Sequence, residues 1–162
     1  MRRSLLVPVV VVLVALACGA DEEKKQPGDP AAGHALLAEY VAAFQQLASS
    51  GGGVEVLDPL LAEQARNGDA LLAAGKVSAG FAERHRRLIE VTRALVAPGG
   101  GEEARQKVRD FLDAVEGKKE RALGGGLAEV APAIVEEVLR LHMLLDGTTD
   151  REKTRARYMP DL

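Results

Sequence analysis

Beyond residue 28 the apolar side chains recur at intervals of three and four, and this spacing constrains the fold more than any other feature. Residues three and four apart share one face of a helix, whereas a half-buried strand needs strict alternation. Alternation of β-branched and aromatic residues is absent, and Ala, Leu, Glu and Arg dominate, which favours helix. Five helical segments are expected. Asp29-Pro30 opens the first, with aspartate as N-cap and proline in the first turn, and Leu36, Leu37, Tyr40, Val41, Phe44 and Leu47 form its apolar face. Asp58-Pro59 repeats that start signal for a second helix, lined by Leu57, Leu60, Leu61, Leu71 and Leu72 and stopped at Gly75. Gly68 falls on the same face and permits close approach of a neighbour.

Ser78 caps a third helix carrying Phe81, Leu88, Ile89, Thr92, Leu95 and Val96, which stops at Pro98. A shorter fourth uses Ala104, Val108, Phe111, Leu112 and Val115. The fifth turns Val130, Ala131, Ile134, Val135, Val138, Leu141 and Leu145 inward and ends at Gly147. Thr149-Asp150-Arg151-Glu152 has a capping-box pattern that starts a short terminal helix through Tyr158. Each stripe has a charged back, so each helix must bury one side against others. Short Gly-rich links make neighbours antiparallel. The expected fold is all-α, an up-and-down antiparallel bundle of four to five helices.

The N-terminal segment reads differently. Arg2 and Arg3 lead into an apolar stretch from Leu5 to Ala17. As a helix this stretch reaches only about 20 Å, short of the roughly 30 Å hydrocarbon core, which fits a cleaved export signal. The one cysteine of the chain closes it, in Leu13-Val14-Ala15-Leu16-Ala17-Cys18. This segment resembles the signal and lipobox of bacterial lipoprotein precursors, with Ala17 before the cysteine and Ala15 where a leucine is usual. The resemblance implies a diacylated Cys18 as mature N-terminus. It also implies an exported, membrane-anchored protein, held in the outer membrane facing the periplasm if the cell has two membranes, because Gly19 rather than aspartate follows. Ala15 and Ala17 equally form an A-x-A site whose cleavage leaves Cys18 unlipidated, and cutting after Ala20 discards it. The expected organisation is a signal peptide over 1–17, lipidated Cys18 and a flexible polar tether over 18–28, and a helical domain over 29–162.

Without Cys18 there is no thiol for a disulfide, a zinc-thiolate site or a nucleophile. Removing Arg2 and Arg3 takes the 21 basic side chains to 19 against 24 acidic ones, a net charge of −5. No nucleic-acid partner is expected from such a surface. No serine sits in a G-x-S-x-G or S-x-x-K context, and the glycine triplets lack the strand-to-helix setting of a phosphate loop. The pairs Glu102, Glu103 and Glu136, Glu137 read as solvated helix faces.

Three histidines remain, His34, His85 and His142, and the last two fall on apolar stripes. Facing helices of a bundle can hold metal or haem between such rings, which makes His85 and His142 the candidate metal ligands. The bland reading is a core-edge ring whose nitrogens find a hydrogen-bond partner. No cofactor and no catalytic residue are assigned. The function expected is that of a non-enzymatic binding or accessory module, anchored to the membrane by its lipid and working with another envelope protein. The alternative is a small-ligand, metal or haem carrier built on the inward histidines.

Overall fold

The computed structural model describes residues 29–50, 54–97, 99–120 and 126–162. Cys18, the signal and the tether lie outside them. Six helices follow one another: α1 (Pro30–Ser50), α2 (Val54–Ala73), α3 (Ala79–Val96), α4 (Glu102–Glu116), α5 (Leu127–Asp146) and α6 (Arg151–Tyr158). The described residues form an all-α bundle without strands.

Local chemistry sets most of the boundaries. Asp29 Oδ1 accepts the Ala32 N–H at the head of α1, and Ser78 Oγ accepts the Phe81 N–H at the head of α3. Glu102 and Glu103 place negative charge at the start of α4, where the unpaired N–H groups carry partial positive charge. At the end of α5 the chain turns through Gly147 at φ 60°, a left-handed conformation that suits glycine. The Thr148 and Gly147 N–H groups return to the Met143 and Leu144 carbonyls, the paired bonds of a Schellman stop.

Two boundaries differ from the sequence reading. α2 begins at Val54, so Pro59 stands inside the helix rather than opening it. Proline cannot donate to the carbonyl four residues back, but Leu57 is buried beside Leu61, and this packing needs helical geometry upstream of the proline. α6 is capped by Asp150, not Thr149. Asp150 Oδ1 accepts the Lys153 N–H, while Thr148 Oγ1 accepts from the Asp150 backbone. Leu60 is also not a core residue: 36% exposed, it lies on the rim while Leu57 and Leu61 point inward.

Consecutive helices pack against each other, and α5 also packs on α1, α3 and α6. This central place explains why α5 buries Val130, Ala133, Ile134, Val138, Leu139, Leu141 and Leu145, more than one stripe of its surface. Two hydroxyls taken inside pair with each other. The Tyr40 hydroxyl meets Thr92 Oγ1 at 2.8 Å, and Thr92 donates to the Leu88 carbonyl. Burial pushes the Tyr40 phenol well above its usual range.

Candidate functional site

Two histidine-centred clusters stand out, one beside α2 and one at the end of α5. In the first, His85 on α3 is 2% exposed and lies parallel to the Phe81 ring. It reaches this depth because α2 has no side chain opposite. A Cβ at Gly68 would sit 2.7 Å from His85 Nδ1, which bears out the expectation of close approach there. His85 Nε2–H donates to Gln64 Oε1 at 3.2 Å, and Gln64 Nε2–H donates to Glu39 Oε2 at 3.0 Å on the surface of α1. The relay fixes the tautomer, because an amide oxygen can only accept. Burial holds His85 down to about 4, against a smaller upward pull from Asp69.

The second cluster gathers His34 from α1, His142 and Asp146 from α5, and Tyr158 from α6. Gly33 again permits the approach: a Cβ there would stand 2.7 Å from Leu145 Cδ2 on α5. One residue on, His34 Nδ1 meets His142 Nδ1 at 2.8 Å, and His34 Nε2 meets Asp146 Oδ1 at 2.8 Å. The two imidazole centroids are 5.1 Å apart with planes 13° from parallel. One ring radius at either end makes up the difference between the centroid and nitrogen separations. The two Nδ1 atoms therefore face each other along the line of centres.

Tyr158 lies across the pair, its centroid 4.3 Å from His34 and 4.4 Å from His142, and its hydroxyl donates to Asp146 Oδ1 at 3.2 Å. Arg157 stands over the Tyr158 ring. Burial, reinforced by His34, holds His142 down to about 4. Burial pushes the Asp146 carboxyl up, but the bonds from His34 and Tyr158 with the neighbouring charges outweigh it and leave it below its usual value. A cavity of about 280 Å3 opens onto Asp146, lined also by Thr148, Lys153, Thr154 and Arg157.

The two proposed metal ligands are thus both inward, but the structure seats them in different surroundings. His85 bonds Gln64 and His142 bonds His34. A metal between two imidazoles needs about 2.0–2.1 Å to each nitrogen, so a head-on pair would stand roughly 4 Å apart. At 2.8 Å the His34–His142 gap fits a proton. Among the described residues no three His, Cys, Asp or Glu side chains converge to hold a metal.

Two sequence readings of polar residues need correction. Glu137 is not on a solvated face but 2% exposed, three residues after Ile134 and four before Leu141. Burial raises its carboxyl above the usual range, opposed by Arg84, whose Nε is 3.7 Å from Oε1. Glu136 next to it is held down, first by its bond from Arg151, and also takes a bond from Arg140. His34 and Tyr158 had no assigned role, yet both belong to the second cluster. No protein family, characterised protein or solved structure matches this chain, so the geometry of the two clusters is what a functional reading rests on.

Proposed function

We propose that this is a lipid-anchored envelope protein whose bundle is a non-enzymatic binding module for another envelope protein. The observation that carries the non-enzymatic part is where the polar atoms of the second cluster point. Both His34 nitrogens and one Asp146 oxygen are taken by neighbours within the fold, and His142 is buried beneath Tyr158. A general base must keep a nitrogen or oxygen within reach of the substrate proton. The anchoring part rests on Cys18, the only cysteine, at the end of the apolar signal. The binding part is supported by a groove of about 410 Å3 between α3 and α4, with Ala94, Ala97 and Ala104 between the charged side chains Glu90, Arg93, Glu103 and Lys107. The carrier reading is weaker, because His85 and His142 sit in separate clusters and each already has one ring nitrogen bonded within the fold.

Two measurements test the proposal separately. Cys18→Ala should move the protein from the membrane to the soluble exported fraction, and unchanged membrane association would remove the anchor. Lys107→Glu should reduce a partner recovered with the detergent-extracted protein while leaving helical content intact. Unchanged recovery would remove the groove.

A further inference from the structure

The facing nitrogens of His34 and His142 carry an inference that does not depend on anchoring or partner. With His34 Nε2–H directed at Asp146, a neutral His34 has a lone pair on Nδ1, and His142 Nδ1–H fills the 2.8 Å gap. Add one proton at His142 Nε2 and the shared hydrogen passes to His34, which becomes an imidazolium beside Asp146, donating from Nδ1 to the lone pair left on His142 Nδ1. One hydrogen lies between the rings in either state. Add a second and two N–H groups point at each other in near-coplanar rings, each carrying positive charge, with no room to turn under Tyr158.

We propose that the proton shared by His34 and His142 is a latch that holds the start of α1 and the whole of α6 against the end of α5, and releases them when both rings are charged. The elements it joins have few other ties at this end. α6 is eight residues long and buries only Thr154 within its span. Arg151 is tied to Glu136, Arg155 to the Leu162 carbonyl, and Met159 is buried just beyond the helix. Among the described residues, Asp146 on α5 accepts from His34 Nε2–H and draws His142 toward its charged form, Arg157 on α6 acts on Asp146, Lys153 on α6 lines the cavity beside Asp146, and Asp29 at the head of α1 is engaged by Lys76. The low proton affinity of His142 places release in acid, between the ordinary histidine range and about pH 4.

Hydrogen exchange on the full chain in detergent tests the latch, with α3 amides beside His85 as an internal reference for global unfolding. Opening of α6 and of the first turns of α1, taken from exchange corrected for its intrinsic pH dependence, should rise by about tenfold per pH unit over this window while staying below the free energy read by the α3 amides. His142→Asn keeps a donor at the place of Nδ1 but cannot take up a proton, so its local exchange should stay flat. No local rise in the natural chain, or the same rise in His142→Asn, overturns the proposal. Should that variant fail to fold, imidazole nitrogen spectra of the natural chain decide. The pair should hold one Nδ1 proton at neutral pH and lose the His34–Tyr158 ring contact as the second proton binds. Persistence of that contact with both rings charged would overturn the latch.

Discussion

The two histidine clusters solve the same problem by opposite means. His85 donates its Nε2–H to Gln64, an amide that keeps its hydrogen-bonding character at any pH, and Gln64 in turn donates to a surface carboxylate. His142 is paired with a second imidazole, whose nitrogen can either donate or accept. Both rings are 2% exposed and both are held down to about 4. Burial alone therefore does not separate a structural histidine from a responsive one. The partner does.

The largest expected effect bears on what the clusters share. Each buried ring has a folded proton affinity below its unfolded one, so its contribution is complete above about pH 6.5 and is lost as pH falls toward about 4. Each should account for about 3 kcal/mol across that window. Urea midpoints as a function of pH would measure it. His85→Gln, which keeps the donor to Gln64, should remove about one proton from the linkage without opening the α6 end selectively. If it flattened the local α6 response as well, the two clusters would be one system and the contrast would fail.

Gly68→Ala comes next. The new methyl would meet an aromatic ring, not a flexible side-chain tip, so overpacking should cost about 2 kcal/mol in urea unfolding. Its effect should be confined to the His85 cluster, leaving His34 and His142 resonances in place. The smallest effect is expected for Tyr158→Phe, which keeps the stacked ring and removes the bond to Asp146. A loss of about 1 kcal/mol at neutral pH is expected, with the α6 opening shifted to slightly higher pH. A loss much greater than that would mean the hydroxyl, not the shared proton, holds α6.

The helices and most of the core were legible because stripes of three and four specify both at once. Leu36, Leu37, Tyr40, Phe44 and Leu47 lie where their spacing put them, as do Phe81, Leu88 and Ile89. Glu137 misled because a pair of adjacent glutamates resembles a surface, although its distances to Ile134 and Leu141 match the core register. His34 was hidden for another reason. It sits in the second turn of α1, so its apolar neighbours lie on one side only and define no stripe around it. The pairing of His34 with His142 spans 108 residues, and local periodicity carries no information about contacts at that separation.

The central place of α5 also sets the order in which this chain can become stable. Surfaces of both α1 and α3 pack against α5, and α5 is the fifth helix to be made. A chain ending at α4 leaves those surfaces in water and must bring α1 and α5 together over a long loop once α5 emerges, a slow step by topology. A nascent chain of this kind stays open until it is nearly complete.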